Sequence, residues 1–587
     1  MKYLVVTGGM MSGLGKGTAI ASIGRNLKNR GLEVTAIKID PYINIDAGTM
    51  SPYQHGEVFV LEDGSEVDLD LGNYERFLDI NLTSDHSITT GKIYRNVILK
   101  ERKGDYLGNT VQIIPHVTDE IESHIRRVAE SSHADVCLVE VGGTVGDIES
   151  MPFIEAVRRL RHNCRKSKED DCVIAHVTLC LNDAQGEQKT KPTQHSVNEL
   201  KKLGIIPDVL IVRSEDQLYN KTISKLSMAC DIPQDAIISA FDADVYDVPN
   251  NFEKQWLTDY ILRHFNIDAI EIKDDTWNKC LEKRDSVTST YNVAIVGKYT
   301  SIGDCYFSIK EALKHCAINN KCNVNITPVD SEGIEDIKDA NDILSDYDGI
   351  IVPGGFGERG TDGKLYAIQY ARENNVPFLG ICMGMQLAVI EFVRNVMGLT
   401  EANSTEFDND TPDPVVCLLS EQENVIEMGG TMRLGNYDIS ILKDSLAFSV
   451  YGSEFISERH RHRFEINPMY FESMEKLGLK LCGFCDGRAE IIAYEKNTFH
   501  FATQFHPEYQ THLSNPSPVF NAFLISMINV NKNNNHKPSD NKPVVETVDQ
   551  PEIENPQNES DKKESNIEKD QPILKGSGWT INPTLDR

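Results

Sequence analysis

The segment "VPFLGICMGMQLAV", residues 376–389, places Cys382 between two glycines, where one apolar run passes into another. The first run is short enough to form a buried strand, and the second suits a helix. A sharp strand-to-helix turn with a reactive side chain at its tip is the layout of a nucleophile elbow. The segment therefore predicts an α/β fold with a cysteine nucleophile at the turn.

Apolar runs of the same kind recur along the chain, with amphipathic, helix-like segments between many of them. In the first half they are "YLVVTGG", "EVTAIKID", "ADVCLVEVGG", "VIAHVTLCL" and "DVLIVRS". After about residue 290 they resume as "YNVAIVGKY", "VNITPVDS", "GIIVPGG" and "VPFLGIC". Because these runs do not alternate strictly and are separated by helices, they predict largely parallel sheets buried on both faces. We therefore expect two doubly wound α/β domains.

Two changes in composition divide the chain. Near residues 268–290 the sequence becomes charged and polar, and towards the C-terminus it becomes rich in Asn, Lys, Glu and Pro. These changes predict four segments, namely a first domain at 1–268, a linker at 269–290, a second domain at 291–530 and a tail at 531–587. We expect the tail to be disordered, because it has little apolar surface to bury.

The overall charge limits the classes of partner. The formal net charge is −30, and a field of that sign repels nucleic-acid backbones. No apolar run reaches the roughly 18 residues that a membrane span needs. Thirteen scattered cysteines suit a reducing compartment better than a disulfide framework. We therefore expect a cytoplasmic protein without nucleic-acid or membrane partners, in which any nucleotide site concentrates its lysines locally.

The segment "VTGGMMSGLGKGT", residues 6–18, is close to a phosphate-binding loop but departs from its usual spacing. Five residues instead of four separate Gly9 from Gly15, and Gly17 stands where Ser or Thr normally follows Lys16. A glycine-rich turn before a helix can still offer backbone N–H groups to phosphate, with Lys16 as the charge and Ser12 or Thr18 as hydroxyls. The alternative is a glycine-rich turn without a ligand.

Charged side chains follow several predicted strands of the first half. Lys38 and Asp40 end the second strand. Asp70 lies in "EVDLDLG", and Glu140 comes out of the apolar "VCLVEVGG". Ligands bind at the carboxyl ends of parallel strands, where an Asp and a Glu with phosphate oxygens would suit Mg²⁺. Helix capping or ion pairing would equally explain either carboxylate alone.

The segment "GEQKTKPTQHS", residues 186–196, concentrates polar donors. Its sequence predicts Lys189 and Lys191 on one side of an extended stretch held by Pro192. A solvated basic loop is the simpler interpretation. In a chain with a net charge of −30, however, the run favours a second triphosphate site.

The predicted nucleophile needs a base, which "FATQFHPEYQ" supplies at the end of a strand-like run. Residues two apart on a strand share a face, so Glu508 would orient His506, and His506 would activate the thiol of Cys382. A cysteine in an apolar run is otherwise a core residue. The glycine elbow together with the downstream His-Pro-Glu favours catalysis.

Further segments of the second half resemble class I glutamine amidotransferases. "VPGGFGERG" resembles their oxyanion strand, with the backbone N–H of Gly355 as a donor. "ANSTEF" brings Glu406 and "ERHRHRFE" brings Arg463, which have the opposite charges that the two ends of an amino acid require. The elbow adds four glutamine contacts to this resemblance, namely Met383, Gly384, Met385 and Gln386.

Two other patterns are set aside. His460 and His462 of "ERHRHRFE" lack Cys or carboxylate partners at ligand spacing, so we expect no metal there. The "CGFC" at 482–485 imitates a thioredoxin motif but lacks the helix start that such a motif needs.

The first half resembles the amidoligase domain of the CTP synthase family in "SGLGKG", "KIDPYINIDAGTMSPYQHGEVFV", "DLDLGNYERF", "YLGNTVQIIPH", "VEVGGTVGDIES" and "GEQKTKPTQHS". The family has a fold related to dethiobiotin synthetase and a phosphate loop of this spacing. The resemblance covers about residues 1–528 and implies a flavodoxin-like class I glutaminase as the second domain.

The resemblance implies a role for each matching residue. The residues expected at ATP are Gly13, Leu14, Gly15, Lys16, Gly17, Thr18, Asp70, Phe241, Asp242 and Ala243. The residues expected at UTP and the product CTP are Ser12, Asp147, Ile148, Glu149, Lys189, Thr190, Lys191, Pro192, Thr193, Gln194 and Lys225. Lys16 and Lys38 correspond to catalytic lysines, and Asp70 and Glu140 to Mg²⁺ ligands. His55 and Val58 correspond to the mouth of an ammonia channel.

The implied reaction converts ATP, UTP and glutamine into ADP, phosphate, CTP and glutamate, through UTP phosphorylated at O4. The family also implies GTP activation, CTP inhibition and a homotetramer capable of filament assembly. One departure is "LCLNDAQ", where relatives usually show a Pro-Tyr pair. We interpret it as variation near the pyrimidine site that alters feedback by CTP rather than the chemistry.

Three alternatives are weighed against this prediction. A cobyrinate-type amidase would lack "KTKPTQ" and "GDIE", which are both present. An enzyme like GMP synthetase would need an S-G-G-x-D-S loop, which the sequence does not contain. A non-catalytic scaffold or filament protein is disfavoured because the predicted catalytic and metal-binding side chains are all retained.

Overall fold

The computed structural model describes residues 1–167, 171–268, 270–300, 303–419, 422 and 429–533. The predicted disordered tail lies outside the described residues from position 534 onward, as does residue 269 of the predicted linker. The rest of the linker contains a helix and is described with the first half.

The first half is built around a sheet whose strands alternate with helices. Its strands are β1 (Lys2–Gly8), β2 (Val34–Asp40), β3 (Val58–Val60), β4 (Glu66–Asp68), β5 (Ser87–Thr89), β6 (Val136–Val141), β7 (Asp171–Leu179), β8 (Leu181–Asn182), β9 (Gln188–Lys189), β10 (Val209–Ser214) and β11 (Ile237–Phe241). Its helices are α1 (Lys16–Asn29), α2 (Pro52–His55), α3 (Leu69–Leu78), α4 (Thr90–Lys103), α5 (Thr118–Ser131), α6 (Met151–Lys166), α7 (Lys191–Lys202), α8 (Asn220–Cys230), α9 (Val248–Lys254), α10 (Leu257–His264) and α11 (Thr276–Arg284).

The main sheet of this half has seven strands in the order β11-β10-β7-β1-β6-β2-β5. Every neighbouring pair in it is parallel. Side chains of β1 alternate between two cores, since Leu4 and Val6 pack on one face and Tyr3 and Val5 on the other. Helices therefore cover both faces, as in a doubly wound domain.

The second half repeats this plan with an extended sheet. Its strands are β12 (Thr290–Gly297), β13 (Asn323–Asp330), β14 (Gly349–Val352), β15 (Phe378–Ile381), β16 (Ala402–Ser404), β17 (Asp413–Leu418), β18 (Arg433–Ile441), β19 (Phe455–His462), β20 (Phe464–Ile466), β21 (Leu479–Cys485), β22 (Arg488–Tyr494) and β23 (His500–Thr503). Its helices are α12 (Phe307–Asn319), α13 (Ile337–Leu344), α14 (Thr361–Glu373), α15 (Met383–Asn395), α16 (Leu446–Tyr451), α17 (Phe471–Lys476) and α18 (Pro518–Asn533).

The larger sheet of the second half has the order β13-β12-β14-β15-β23-β22-β21-β18-β19. The strands from β13 to β23 are parallel and follow the flavodoxin-like order 2-1-3-4-5. The strands from β23 to β19 pair antiparallel. The predicted class, two doubly wound α/β domains, is confirmed.

The antiparallel extension was not part of the sequence prediction, although one signal for it was present. The turn between β21 and β22 is Asp486-Gly487, with φ of 50° and 78°. Two successive positive φ angles at an Asp-Gly pair are typical of a tight hairpin turn. Our prediction classified the strands by their apolar runs alone and did not use this dipeptide.

The hairpin of β3 and β4 packs against the second half of the chain. Arg459 on β19 donates to the carbonyl of Val60 at 3.0 Å and pairs with Glu75 on α3 at 2.7 Å. The hydroxyl of Tyr509 donates to the carbonyl of Val58 at 3.1 Å. Both sheets belong to one compact unit, and these buried polar contacts hold the hairpin at the junction.

The fold bears on two predictions, that the chain has no membrane span and that its cysteines do not form a disulfide framework. Among the described residues, no helix combines the length and apolar character needed to cross a membrane. All thirteen cysteines lie in the described part of the chain, and each is a free thiol.

Candidate functional site

The phosphate-loop segment connects β1 to α1 at the topological switch point of the first sheet, where later strands are added on both sides of β1. Strand β1 lies there between β7 and β6, and open α/β sheets bind ligands at such points. Gly13 and Gly15 have φ of 74° and 83°, a left-handed conformation that glycine adopts at little cost. The turn leads into the N-terminus of α1, an arrangement that binds phosphate.

Close packing explains the unusual residue after Lys16. A Cβ atom on Gly17 would lie 2.6 Å from Oδ1 of Asp70 and 3.5 Å from Oε2 of Glu140. Any larger residue would therefore displace the Asp70 carboxylate. The two carboxylates predicted as metal ligands thus approach the first turn of α1, and glycine makes room for them.

Lys38 lies between these carboxylates in a buried cluster. Its Nζ donates to Oε1 of Glu140 at 2.9 Å and also to Asp70, while Tyr74 donates to the same glutamate. Burial alone would lower the pKa of Lys38, but the attraction of Asp70, Glu140 and Asp40 outweighs it and raises that pKa. Lys38 is therefore a fixed positive charge.

Two more carboxyl groups surround the cluster. Burial raises the pKa of Asp40 well above its usual range and that of Asp68 to about 6, where Asp70 adds to the effect. Oδ2 of Asp40 is buried and has no hydrogen-bond partner among the described residues. An unsatisfied buried carboxylate oxygen indicates a place where a further cation or donor is needed.

The donors present fit a hard divalent cation. The carboxylates of Asp40, Asp70 and Glu140 supply oxygen atoms only, which Mg²⁺ prefers. The position of the Lys38 ammonium shows that positive charge is favoured between Asp70 and Glu140.

The side chain of Lys16 folds back along the phosphate loop that precedes it. Its side chain packs against Gly8, where a Cβ atom would lie 2.7 Å from Cδ, and its Nζ donates to the carbonyl of Gly143 at 3.1 Å. Burial lowers the pKa of Lys16, opposed mainly by Glu140. The lysine lies within the electrostatic reach of Lys38 and the carboxylates.

A cavity of about 260 Å³ lies beside the phosphate loop. It brings together the predicted ATP contacts Gly13, Leu14, Gly15, Thr18, Phe241 and Ala243. Asp242 is paired instead with Arg213 at 2.7 Å, and Arg213 itself lines the cavity. The sequence prediction missed Arg213, although its position at the end of the run "DVLIVRS" was an available signal.

The lysine-rich segment is folded differently from the prediction. It is not extended, because Lys189 ends the short strand β9, Lys191 begins α7, and Pro192 occupies the first turn, where proline is favoured. Lys189 pairs with Asp183 at 2.8 Å and with Glu187 at 2.7 Å.

The other predicted pyrimidine contacts differ in exposure. The hydroxyl of Thr193 is fully buried and donates to the carbonyl of Leu179 at 2.8 Å, so its side chain holds α7 to β7. The amide of Gln194 donates to the hydroxyl of Thr190 at 2.9 Å. Lys225 is exposed on α8.

Buried hydrogen bonds connect this segment to the phosphate loop. His176 contacts Thr7 through Nδ1 at 2.8 Å and Ser196 of α7 through Nε2 at 2.8 Å. A Cβ atom on Gly9 would lie 1.9 Å from Oγ of Ser196. The loop and the N-terminal part of α7 are therefore packed together.

The "GDIE" segment is joined to the same loop. The N–H of Val145 donates to the carbonyl of Gly8 at 2.9 Å. Asp147, Ile148 and Glu149 follow at the turn into α6, where Ile148 is 88% exposed. An apolar side chain with this exposure is available for a contact outside the chain.

In the second half, Cys382 has the geometry of a nucleophile elbow. Its φ of 54° and ψ of −107° place a non-glycine residue in a strained conformation between β15 and α15. A Cβ atom on Gly380 would lie 2.8 Å from the carbonyl oxygen of Gly384, and one on Gly384 would lie 2.0 Å from that of Val352. The flanking glycines are therefore required by close backbone contacts.

His506 lies beside Cys382 and is oriented by Glu508. Nδ1 of His506 and Oε1 of Glu508 are 2.7 Å apart. These residues lie in a turn after β23, so the strand geometry in our prediction was wrong although the pairing is present. Burial would lower the pKa of His506, but Glu508 and Cys382 outweigh it and raise that pKa to about 10.

The predicted oxyanion donor lies in residues 353–357, which we call the oxyanion loop. A Cβ atom on Gly354 would lie 3.1 Å from Cε1 of His506 and 3.4 Å from Cβ of Cys382, so the loop faces the nucleophile. Lys298 donates to the carbonyl of Gly357 at 3.2 Å. Oε1 of Glu406 accepts from the N–H of Gly357 at 2.6 Å, and burial raises the pKa of this glutamate.

A cavity of about 500 Å³ lies in front of Cys382, between the two halves of the chain. Residues of the second half in its wall include Gly354, Gly355, Phe356, Cys382, Arg461, Arg463, His506 and Glu508. The first half contributes Gly48, Thr49, Met50, Pro52, Glu57 and Val58. The sequence prediction missed Arg461, which pairs with Glu66 across the junction at 2.8 Å.

Three of the remaining predicted glutamine contacts belong to the framework of the elbow, and a fourth lies in the cavity wall. Met383, Met385 and Gln386 are buried, and the amide of Gln386 donates to the carbonyl of Phe464 at 2.9 Å. Arg463 lines the cavity and donates to the hydroxyl of Thr431 at 3.0 Å.

The hairpin of β3 and β4 contacts both the cavity and the carboxylate cluster. Val58 lines the cavity and lies directly opposite Asp68 in the register of the hairpin. Asp68 lies close to Asp70, since its Oδ1 accepts from the N–H of Asp70 at 2.9 Å. His55 is exposed at the end of α2.

Two patterns set aside in the sequence have structural explanations. His460 and His462 do have a carboxylate partner, Glu490, with which they form a buried group of possible metal ligands. Arg433 also pairs with Glu490 at 2.6 Å, and its guanidinium supplies the positive charge there. "CGFC" lies on strand β21 and not at the start of a helix.

The fold and the two sites define a class of protein, a glutamine amidotransferase joined to a phosphate-binding synthase domain. A family model described as the CTP synthase N-terminus matches residues 2–267, and one described as glutamine amidotransferase class-I matches residues 301–526. The CTP synthase of Methanosarcina acetivorans is 58% identical over 534 residues, which are 91% of this chain and 99% of that protein. The chain belongs to the CTP synthase family.

A second curated relative and one solved structure are also similar to parts of this chain. The CTP synthase of Methanococcoides burtonii is 57% identical over 533 residues, which cover 91% of this chain and 99% of that protein. A solved structure of the glutaminase domain of Trypanosoma brucei CTPS with bound acivicin is 40% identical. It covers 41% of this chain and 94% of its own, with a TM-score of 0.39.

Proposed function

We propose that this chain catalyses the ATP-dependent amination of UTP to CTP, with ammonia released from glutamine. The overall reaction consumes ATP, UTP, glutamine and water and yields ADP, phosphate, CTP and glutamate. One observation carries this proposal: a single short hairpin joins the two sites, since Val58 on β3 lines the cavity that contains Cys382 and pairs with Asp68, which contacts Asp70 of the carboxylate cluster. The identity of the relatives over 91% of the chain supports it.

The glutaminase steps follow from the elbow. The sulfur of Cys382 attacks the amide carbon of glutamine, and the N–H of Gly355 stabilises the negative oxygen of the tetrahedral intermediate. His506 gives a proton to the leaving nitrogen, so that ammonia departs and a glutamyl thioester remains. Water, activated by the same imidazole, then releases glutamate. Glu508 keeps His506 in the required orientation.

Arg463 and Glu406 are proposed to select glutamine by its charged ends. Arg463 lies in the cavity wall, where its guanidinium would bind the α-carboxylate. Glu406 would act at the α-ammonium side and holds the oxyanion loop through Gly357.

The synthase steps are proposed at the phosphate loop. Residues 13–18 would bind the ATP phosphates while the adenine lies in the cavity lined by Phe241 and Ala243. O4 of UTP attacks the γ-phosphorus, which gives 4-phospho-UTP and ADP. Ammonia then attacks C4 and phosphate leaves. Lys16 and Lys38 would stabilise the charge on the phosphoryl group during both steps.

Asp70 and Glu140 are proposed to hold Mg²⁺, with Asp40 as a neighbouring acceptor. When bound, the ion would neutralise phosphate charge and polarise the transferred group. Lys38 would keep its contact with these carboxylates and hold them towards the first turn of α1.

The pyrimidine site is proposed from the lysine-rich segment and "GDIE". Both are connected to the phosphate loop by buried hydrogen bonds, which supports a UTP site next to ATP. Ser12, Lys189, Lys191, Gln194 and Lys225 would contact UTP and the product CTP. The side chain of Thr193 would act only through the packing of α7.

Several finer expectations remain part of this proposal. They are activation by GTP, inhibition by CTP, a homotetramer capable of filament assembly, a cytoplasmic location, an ammonia channel near His55 and Val58, and domains at 1–268 and 291–530. Exposed apolar side chains such as Leu107 and Ile148 support an oligomer, and the free cysteines support a reducing compartment.

The test is a Cys382→Ala variant assayed with two nitrogen sources. We expect it to lose glutamine-dependent CTP formation and to keep CTP formation from added ammonium, UTP and ATP. Cys417→Ala, a half-buried cysteine on β17, is the matched control and should keep both activities. Loss of ammonium-dependent synthesis in the Cys382 variant, or no CTP from the wild type, would contradict the proposal.

A further inference from the structure

A completely buried lysine lies behind the oxyanion loop. Lys364 on α14 has no exposed surface, and its Nζ donates to the carbonyl of Pro353 at 3.3 Å. An ammonium group has three donors, and burying it costs free energy unless it is paired. Within the described part of the chain, Pro353 is the hydrogen-bond partner that Lys364 has. The free-energy cost of burying this ammonium group indicates a functional role for Lys364.

The surroundings of Lys364 belong to the glutaminase site. Its Nζ lies 3.8 Å from the point where a Cβ atom on Gly355 would stand. The charged or titratable groups that face it are Lys298, Arg359, Glu406 and Cys382. Burial, reinforced by Lys298 and Arg359, lowers the pKa of Lys364 to about 7, and Cys382 and Glu406 oppose this shift.

We propose that Lys364 is a positioning residue for glutamine hydrolysis, which holds the Pro353 carbonyl and supplies positive charge behind the oxyanion loop. The proposal rests on the function proposed above, because it presupposes an oxyanion at Gly355. In a trans peptide the C=O and N–H groups point in opposite directions, so the bond to Pro353 also sets the direction of the Gly354 N–H. Gly354 faces His506 and Cys382.

The charge of Lys364 matters most in the transition state. Glutamine is neutral at its amide, whereas the tetrahedral intermediate carries a negative oxygen. In a dry site a nearby ammonium stabilises that oxygen strongly and without reorganisation. Because the neutral amide gains little from it, the effect belongs in kcat and not in KM. The ammonium form exists below the pKa of Lys364, so its contribution falls as pH rises through about 7.

The test compares Lys364→Met with Ile368→Val, a buried packing change one turn further along α14. We expect Lys364→Met to lower kcat for glutamine hydrolysis by about tenfold or more, less than the loss of a direct oxyanion donor. KM for glutamine should change by less than about twofold, and ammonium-dependent CTP formation should be unchanged. Ile368→Val should have neither effect.

The pH profile separates charge from packing. The ratio of wild-type to Lys364→Met kcat should be largest at about pH 6 and fall by about pH 8.5 to the smaller value that the lost hydrogen bond to Pro353 leaves, because the wild-type ammonium is lost over that interval. A ratio that does not change with pH would overturn the proposed role of the charge, and a wild-type kcat in the variant would overturn the whole inference.

A second variant keeps the test valid if Lys364→Met folds poorly. Lys364→Gln retains a hydrogen-bond donor for Pro353 but no positive charge. We expect it to lose the same pH-dependent part of kcat as the Met variant. Full activity in Lys364→Gln would overturn the role of the charge. Wild-type glutaminase that makes no CTP would instead refute the proposed function, so the two failures are distinguishable.

Discussion

The two halves of the chain place their proposed chemistry at the same point of the α/β fold, the turn from a parallel strand into a helix, but they crowd that turn with different groups. After β1, glycine is needed at position 17 because the side chain of Asp70 approaches the helix. After β15, glycine is needed at Gly380 and Gly384 because the carbonyls of Gly384 and Val352 approach. The first arrangement gathers charge around the phosphate loop. The second holds the backbone of Cys382 in a strained conformation that presents its Sγ atom.

The electrostatics of the two turns differ in the same way. Around the phosphate loop, Lys38 has a raised pKa because carboxylates surround it. Around the elbow, burial lowers the pKa of Lys364, and Glu508 and Cys382 raise the pKa of His506. In the proposed function the first site would bind phosphate and a cation, and the second would move protons. One topology thus serves two chemistries through the residues at its strand ends.

The largest effect should come from removing the positive charge of Lys16 from the phosphate loop. We expect Lys16→Met to lower CTP formation about 10³-fold with either glutamine or ammonium, because the charge on the transferred phosphoryl group is no longer stabilised. Glutamine hydrolysis should remain. Lys28→Met, near the far end of the same helix, is the control and should be active. Normal ammonium-dependent CTP formation in the Lys16→Met variant would contradict the proposed role of Lys16 in phosphoryl transfer.

The next effect should come from the proton-transfer turn. Glu508→Gln keeps the size of the side chain but removes the charge that raises the pKa of His506. Glutamine hydrolysis should fall about 10²-fold, and its alkaline limb should move from about pH 10 to lower pH. Ammonium-dependent synthesis should not change. An unaltered pH profile for kcat/KM would show that Glu508 does not control His506.

Steric crowding provides a smaller effect. Gly17→Ala puts a Cβ atom 2.6 Å from Oδ1 of Asp70, so the carboxylate must move. We expect CTP formation to fall about tenfold to a hundredfold with both nitrogen sources, because reacting groups are displaced by a fraction of an ångström. Gly333→Ala is the control, since a Cβ atom there meets nothing within 4 Å. Equal activities in the two variants would refute the packing argument.

The smallest effect should be on stability at the junction between the halves. Burial raises the pKa of Glu57 to about 7 from 4.5, although Ser308 and Arg76 oppose the shift. The folded state therefore holds the proton more tightly than the unfolded state, and stability falls as pH rises from 4.5 through about 7.

Substituting Glu57 makes this prediction measurable. Glu57→Gln should raise stability by about 1–2 kcal/mol at about pH 8 and leave it unchanged at about pH 4.5. Thermal unfolding at the two pH values measures the difference. Glu62→Gln, an exposed residue of the same segment, should show no such dependence. A stabilisation that is equal at both pH values would contradict the assignment to Glu57.

The sequence was most informative where a local pattern determines local structure. The strand, the glycines and the helix around Cys382 are contiguous, so the elbow could be predicted from one segment. The phosphate loop and its position after the first strand were predictable for the same reason. The pairing of His506 with Glu508 was also local, although the segment is a turn and not a strand.

Features that depend on distant segments were not predictable in this way. Lys364 and Lys298 reach the oxyanion loop from different elements, and nothing in their own sequence neighbourhood indicates it. Glu490 on β22 reaches His460 on β19 although β21 and β18 lie between these strands in the sheet order. Spacing along the chain cannot reveal such contacts, because they depend on how distant segments pack in three dimensions.

The central claim is that ammonia passes from the elbow to the phosphate-loop site within the protein. The most direct measurement supplies glutamine labelled with ¹⁵N in its amide together with excess unlabelled ammonium, and determines the ¹⁵N content of the CTP formed. We predict that nearly all CTP made at the glutamine-dependent rate carries ¹⁵N, since one hairpin contributes Val58 to the cavity at Cys382 and Asp68 next to the carboxylate cluster. CTP with the isotopic composition of the bulk ammonium would contradict the claim.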